Sequence, residues 1–247
     1  MAERGWALVT GAARRVGRAL ALAAARAGYD VVVHCRGAVA QAEETAAEIR
    51  ALGREAEIVA ADLTAPHAPR SLFARSRPVT LLVNCASVFE DDRIETFTPE
   101  SWDAHLQTNL KAPVLLAQAF AAALPADRSG LIVNVTDQRV WRLTPQFFSY
   151  TISKAALWTA TQTLAQALAP RIRVNAIGPG PTLPSVHQSP EDFAAETRAI
   201  LLEKGPTPDD LGAALTYLID AGSVTGQMIA VDGGQHLAWR TPDVTGP

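Results

Sequence analysis

The sequence predicts a doubly wound α/β fold, and three observations carry that prediction. Short apolar runs of strand character (WALVT at 6–10, YDVVV at 29–33, EIVAA at 57–61, VTLLV at 79–83, LIVNV at 131–135, RIRVNAI at 171–177 and MIAV at 228–231) alternate with longer Ala- and Leu-rich stretches of helical spacing. The runs are almost continuously apolar, as in strands of a parallel sheet covered on both faces. The first of them leads straight into a glycine-bearing segment, Gly11 to Gly17, that opens a helix. The expected architecture is a Rossmann-type doubly wound, mainly parallel seven-stranded sheet with helices on both faces, forming a single domain over residues 1–247.

Composition limits what such a domain does. A 247-residue chain that is 48% hydrophobic and 19% charged can bury a large core. Its net charge of -3, with both signs interspersed, gives no basic surface for nucleic acid. Cys35 and Cys85 lack metal-ligand spacing and end apolar runs, so they are expected as buried or pocket-edge thiols, with no metal site. The chain starts without a basic-then-apolar leader, and no apolar stretch reaches transmembrane length. The expected location is the cytoplasm, with no membrane partner.

In chain order, Gly11 allows a tight turn after the first strand, and Gly17 lets the following helix approach either the strand layer or a bound diphosphate closely. The second strand ends at His34-Cys35-Arg36, where a doubly wound fold places the adenosine ribose. Arg36, with Arg14 and Arg15 from the first turn, offers cations where a carboxylate would favour free ribose hydroxyls. That points to a 2'-phosphate and hence to NADP(H) over NAD(H). A helix over 38–52 precedes the third strand. Asp62-Leu63 follows it, the carboxylate either accepting from the adenine amino group or capping the next helix. Prolines 66, 69 and 78 allow only a short helix before the fourth strand.

The centre of the chain supplies polar groups at strand ends. After the fourth strand, Asn84-Cys85-Ala86-Ser87 is small enough for backbone to pass close to a nicotinamide and its ribose, while Phe89 either stacks on a flat ligand or plugs the core. Thr98 and Pro99 read as N-cap and first residue of a helix that carries Asn109 on an apolar face. Pro113 leaves the Asn109 carbonyl without its usual amide donor, which gives either a kink holding an ordered water in a relay to Lys154 or a purely structural kink. The fifth strand runs to Asp137, and Tyr150 and Lys154, four residues apart, share one helix face. Where that face lines a pocket, the ammonium favours the tyrosinate and eases proton donation; otherwise the pair belongs to an ordinary amphipathic helix.

The long apolar stretch over 155–169 suggests a helix-mediated subunit interface. The sixth strand leads into Gly178-Pro179-Gly180-Pro181-Thr182, a turn suited to hold a carboxamide through its backbone, with Thr182 in reach of phosphate. Residues 183–205, with Pro184, His187 and Pro190, form an excursion expected to act as a substrate lid. A helix over 209–221, the last strand and Asp232-Gly233-Gly234 complete the fold. The 235–247 tail is too polar and proline-marked for an element, although His236, Trp239 and Arg240 are placed to dock on the domain or on a neighbouring subunit.

The ordered set Thr10-Gly11…Gly17, Asp62-Leu63, Asn84-x-Ala86, Asn109, Tyr150-x3-Lys154, Asn175-x2-Gly178-Pro179-Gly180 and Asp232-Gly233-Gly234 resembles the classical short-chain dehydrogenase/reductase family over essentially the whole length. The resemblance implies that Tyr150 is the proton donor, that Lys154 binds the nicotinamide ribose and lowers the tyrosine pKa, that Asn109 holds a relay water and that Asp62 lies at the adenine. Within the superfamily the chain is similar to the pteridine and dihydromonapterin reductases. Thr10-Gly11-Ala12-Ala13-Arg14-x-Val16-Gly17 resembles their cofactor turn, and His34-x-Arg36 their 2'-phosphate site. Asn84-x-Ala86-Ser87-x-Phe89 resembles the loop whose serine nears cofactor and pterin and whose phenylalanine packs the pterin.

Asp137, thirteen residues before Tyr150, stands where most short-chain reductases have serine, as in the pteridine reductases. An ionised Asp cannot donate to a substrate carbonyl as a hydroxyl does, but it can relay a proton to a ring nitrogen. The implied activity is NADPH-dependent hydride transfer to a C=N bond of a dihydropterin-like heterocycle by a homotetramer. Arg14, Ser87, Phe89, Asp137, Tyr150 and Trp141 are expected at the substrate, with Leu63, Pro179, Gly180 and Thr182 on the cofactor. The rival readings are a carbonyl or 3-oxoacyl-thioester reductase and a non-catalytic nucleotide-binding regulator. Two features depart from the family pattern: Cys85 in place of the usual second asparagine is a smaller, weaker hydrogen-bonding group, and Trp141 with Phe147-Phe148 after Asp137 opens the pocket to substrates other than a pterin.

Overall fold

The structure, a computed structural model, describes residues 4–73, 78–185 and 188–239; His187 and Arg240 lie outside these ranges. Seven strands form one sheet: β1 (Trp6–Val9), β2 (Asp30–Cys35), β3 (Ala56–Ala60), β4 (Val79–Asn84), β5 (Gly130–Val135), β6 (Ile172–Pro179) and β7 (Met228–Val231). Their order is β3-β2-β1-β4-β5-β6-β7, and every adjacent pair is parallel, as the sequence leads one to expect. Alternate strand residues feed two cores. On one face Ala7, Val9, Val31, Val33 and Val83 meet α1 (Arg15–Arg26), α2 (Val39–Ala51) and α8 (Pro208–Asp220). On the other, Leu8, Val32, Leu82, Ile132 and Val174 meet α3 (Ala68–Phe73), α5 (Ala112–Ala123) and α6 (Phe148–Leu168).

Because the chain leaves β3 at one edge and re-enters as β4 beside β1, the connections from β1 and β4 diverge to opposite faces. That divergence opens a crevice at the carboxyl ends of the strands. Buried amides cross the sheet just beneath it. Asn84 donates from Nδ2 to Asn134 Oδ1 at 2.8 Å, Asn134 donates to Thr161 Oγ1 on α6 at 2.9 Å, and Thr161 donates to the Leu157 carbonyl at 2.8 Å. Asn84 and Asn134 are also register partners in the β4–β5 ladder.

Two local expectations change. Thr98 does cap a helix, α4 (Pro99–Leu106), through a reciprocal box with Ser101. The run beyond it then passes through a π-helical turn, Gln107–Lys111, before α5. Pro113 has no N–H to give, and the extra residue in the turn absorbs the mismatch, with the Ala112 amide donating to the Gln107 carbonyl. In the tail, Gln235–Leu237 forms a 3-10 turn where no element was expected. The Asp232 carboxylate gathers the amides of Gly234 (2.9 Å) and His236 (2.8 Å) and pairs with His236 Nδ1 at 2.6 Å, which winds the chain.

At the first crossover a Cβ on Gly17 would lie 2.0 Å from the Gly11 carbonyl oxygen, a backbone atom with nowhere to go. Gly17→Ala is therefore expected to destabilise the fold by about 2 kcal/mol, read as a lower midpoint with an unchanged slope in urea unfolding.

Candidate active site

The crevice is a cleft of about 940 Å3 that runs from His34, Arg36 and Asp62 past the Gly11–Gly17 turn to Asp137, Tyr150 and Lys154. Its floor is held by short bonds between loops. Thr10 Oγ1 accepts from the amides of Cys85 (2.9 Å) and Ala86 (3.0 Å), clamping the loop after β4 to the end of β1. Gly11, at φ +67°, lies so close to Ala86 that a Cβ would meet its Cα at 3.0 Å. The α1 N-terminus begins at Arg14 with no side-chain cap and no acidic residue in its first turn, so its free amides face the cleft as an anion site.

His34 has a different task from the one the resemblance gives it. Its Nδ1 accepts from the Gly11 amide at 3.2 Å and its Nε2 donates to the Ala61 carbonyl at 3.0 Å. Burial pushes its pKa down, so the ring is neutral and fastens the first turn to the end of β3. The cations at this end of the cleft are the exposed Arg14 and Arg36. Arg15, at φ 54°, turns the other way and donates to the Pro184 carbonyl at 2.9 Å, tethering the segment after β6. Asp62 caps its own turn rather than α3: its Oδ1 accepts from Thr64 N at 2.9 Å and Thr64 Oγ1 at 2.7 Å, which lowers its pKa.

Three residues expected at ligands lie outside the cleft lining. Asn84 belongs to β4, and strand alternation turns its amide into the sheet toward Asn134. Asn109 is fully buried; its Oδ1 accepts from Val88 N (2.8 Å) and Ser87 Oγ (3.1 Å), and its Nδ2 donates to the Val88 carbonyl (2.9 Å) and Ser153 Oγ (3.0 Å). Its side chain therefore rivets the loop after β4 to α6, and a relay water there would sit on the main-chain carbonyl rather than on the amide. Trp141 packs edge-on against Trp158 (6.5 Å) and His236 (5.0 Å) and is 45% exposed. The turn after Asp137 swings it away from the cleft.

Val16, Leu63, Ala86, Ser87, Phe89, Pro179, Gly180 and Thr182, expected at the cofactor or the substrate, line the cleft. At its inner end the Tyr150 hydroxyl donates to Asp137 Oδ2 at 2.9 Å, and Asp137 Oδ1 accepts from the Arg139 amide at 2.8 Å. Lys154 is buried and donates from Nζ to the Val135 carbonyl at 2.8 Å. Burial lowers its pKa to about 8. Burial also raises Asp137, and burial followed by the neighbouring Asp137 charge raises Tyr150 well above its ordinary value. The expected lowering of the tyrosine pKa by Lys154 is therefore not seen: the ammonium stands 5.7 Å from the Tyr150 ring centroid, and burial together with the Asp137 carboxylate holds the phenol up. Cys85, beside Lys154, is pushed up to about 11 by burial and stays a thiol.

Two cleft residues, Arg139 and Glu196, escaped the sequence reading, and Phe147, noted only as a departure from the family pattern, has a definite place. Phe147, at φ 53°, stacks flat on Phe89 with centroids 4.3 Å apart and an interplanar angle of 11°. The Arg139 guanidinium lies 5.0 Å from the Phe147 centroid. Glu196, on α7 (Pro190–Ala199), accepts from Gln188 Nε2 (2.7 Å) and Gln235 Nε2 (3.0 Å), joining the 183–205 excursion to the tail at the cleft rim. Phe147 stands one turn before Tyr150, a spacing that could have signalled it; the Glu196 contacts join distant segments and carry no local signal.

A doubly wound sheet with an anion-binding first turn and a Tyr/Lys/Asp constellation at its strand ends defines a dinucleotide-binding oxidoreductase. Residues 5–193 match the family model of the short chain dehydrogenases. The chain belongs to the short-chain dehydrogenase family. Among solved structures it is similar to FolM alternative dihydrofolate reductase 1 from Brucella suis in complex with NADP, at 49% identity and a TM-score of 0.94 over 98% of this chain and 99% of that one. The corresponding Brucella canis protein with NADP gives 48% and 0.94 over 99% of both chains. Among curated proteins it is 30% identical to the 3-oxoacyl-[acyl-carrier-protein] reductase FabG of Staphylococcus epidermidis, over 94% of this chain and 98% of that one.

Lys154 gives this site a stability signature. Its pKa is about 8 in the fold against an ordinary 10.5, so between those values the unfolded chain binds more protons and stability rises with pH. Lys154→Met removes a burial penalty that is fully present below about pH 8. Its gain in thermal midpoint over the wild type is expected to be largest near neutral pH and to shrink as pH approaches 10.5.

Proposed function

We propose that this protein is an NADPH-dependent reductase of a C=N bond in a dihydropterin-like heterocycle. The observation that carries the reading is the 2.9 Å bond from Tyr150 to Asp137 at the inner end of the cleft. In the carbonyl reductases the chain resembles, a serine hydroxyl at that position donates to the substrate oxygen; here a carboxyl group with a raised pKa offers a proton path instead. The 49% identity to an alternative dihydrofolate reductase over almost the full length supports the same substrate class.

The cleft suits NADPH. The uncapped start of α1 and the close, side-chain-free approach of Gly11 and Gly17 would take the diphosphate, and the exposed Arg14 and Arg36 a 2'-phosphate. When bound, the cofactor supplies the hydride. Lys154, its ammonium fixed by the Val135 carbonyl, would hold the ribose end. Phe89, beside Tyr150, presents a ring to a flat heterocycle, with Ser87 in the same loop, and Arg14 contacts the substrate or the cofactor phosphates. Tyr150 delivers a proton to the ring nitrogen that gains electron density, and the Asp137 proton follows to the phenol. The couple ends as tyrosine beside carboxylate, and hydride plus proton complete the reduction of C=N to CH–NH. The 183–205 excursion acts as the lid over the substrate, tied by Arg15 and Glu196. The small, uncharged outer face of α6 suits a second copy of the chain.

The test is NADPH oxidation by the purified protein with dihydromonapterin or dihydrobiopterin. Turnover is expected, and Asp137→Ser is expected to lose it while gaining ketone reduction. No pterin turnover alongside brisk ketone reduction by the wild type would reject the reading. Arg14→Ala and Arg36→Ala are each expected to raise the KM for NADPH roughly tenfold with little effect on NADH; equal effects on both cofactors would remove the 2'-phosphate assignment.

A further inference from the structure

We propose that Arg139 is a positioning residue for proton transfer, its guanidinium held on the Phe147–Phe89 pair so that its uncompensated positive charge makes the Asp137–Tyr150 couple a stronger acid. The inference rests on the reading of that couple as the proton donor. Three geometric facts carry it. Arg139 is two residues beyond Asp137, and its amide donates to Asp137 Oδ1 at 2.8 Å, so its backbone is fixed to the carboxylate. The guanidinium carbon lies 5.0 Å from the Phe147 centroid and 5.9 Å from that of Phe89, and Phe89 meets Tyr150 edge-on at 4.7 Å. Arg139 Nε is buried without a hydrogen-bond partner, and among the described residues no carboxylate pairs with the guanidinium. Aromatic faces hold the cation without cancelling its charge.

The groups around the couple leave this role to Arg139. From α6, the Lys154 ammonium is bound to the Val135 carbonyl at 2.8 Å and stands 5.7 Å from the Tyr150 ring centroid. From the loop after β4, Cys85 presents a thiol. From α4, the His105 ring lies 6.2 Å from that of Tyr150, with its nitrogens occupied by the Ser101 carbonyl and the Glu90 amide. Asp92 is spent on the Ser149 amide at the start of α6. A cation near both members favours proton release from the couple as a unit. Phe147 is the platform for that cation, which gives its left-handed backbone a purpose beside the Tyr150 helix.

The experiment is the pH profile of kcat and of kcat/KM for dihydrobiopterin reduction with NADPH. In Arg139→Gln the couple keeps its proton more tightly, so kcat near neutral pH is expected to fall several-fold while the descending limb moves up by about one pH unit. Arg139→Lys is expected to restore both. A fall in kcat with the limb unmoved, a downward shift, or no rescue by lysine would each overturn the proposal. If Arg139→Gln does not fold, Phe147→Leu carries the test: losing the platform is expected to move the limb upward by a smaller amount, and an unmoved limb overturns the proposal.

The infrared band of the protonated Asp137 carboxyl, identified by its loss in Asp137→Asn, reads the same shift without turnover. It is expected to persist to higher pH in Arg139→Gln, and an unchanged band argues against the role. Asp137→Asn and Tyr150→Phe separate the two levels. If both retain turnover, the reading of the couple itself fails; if both abolish it while Arg139→Gln leaves limb and band in place, only the role of Arg139 fails.

Discussion

Everything above the carboxyl ends of the strands is built on the close approach of backbones at the first crossover. Gly17 passes the Gly11 carbonyl at a distance no side chain would permit, and Gly11 in turn rests on Ala86. Thr10 binds the amides that follow β4, while His34 binds the turn to the end of β3. Four loops that are far apart in sequence are thereby locked to one another before any ligand arrives. Such a floor costs little reorganisation on binding, which is where a site gains affinity from being preformed. It also fixes the direction of the free α1 amides relative to the inner end of the cleft.

At that inner end, the same burial acts on three groups with opposite signs. It raises Asp137 and Tyr150 and lowers Lys154. Each shift favours the neutral form, so the site is closer to electrical neutrality than its residue types suggest. A serine in place of Asp137 would leave the phenol as the sole acid. With the carboxyl present, the phenol can be re-protonated from within the protein, a chemistry better matched to a basic ring nitrogen than to a carbonyl oxygen already served by a hydroxyl.

The sheet, its parallel sense and most strand positions were legible because apolar runs and glycine punctuation are local signals. The Tyr150–Lys154 face and Asp137 were legible for the same reason: strand and helix periodicity alone bring them together. What sequence could not supply was the destination of polar side chains. Asn84, Asn109 and His34 carry groups that would suit a ligand equally well, and whether these bond a ligand or neighbouring protein groups depends on contacts from segments 21 to 50 residues away. Trp141 was misplaced because the 3-10 turn after Asp137 rotates the chain, and a three-residue turn leaves no periodic trace. Arg139 lies in that same turn, which is why its cation went unremarked.

The amide ladder from Asn84 through Asn134 to Thr161 has a consequence beyond the site. Parallel strands of nearly uniform Val, Leu and Ile can slide past one another with little change in apolar burial, since any register packs similar side chains. A slip of β4 against β5 by one residue would separate Asn84 from Asn134 and leave the Asn84 Nδ2 donor and the Asn134 Oδ1 acceptor buried without each other, at about 1–3 kcal/mol each. Two asparagines thus act as a ruler for an otherwise featureless seam. The alignment of Asp137 at the end of β5 with the loop after β4, on which the chemistry depends, is set by a polar mark in the core.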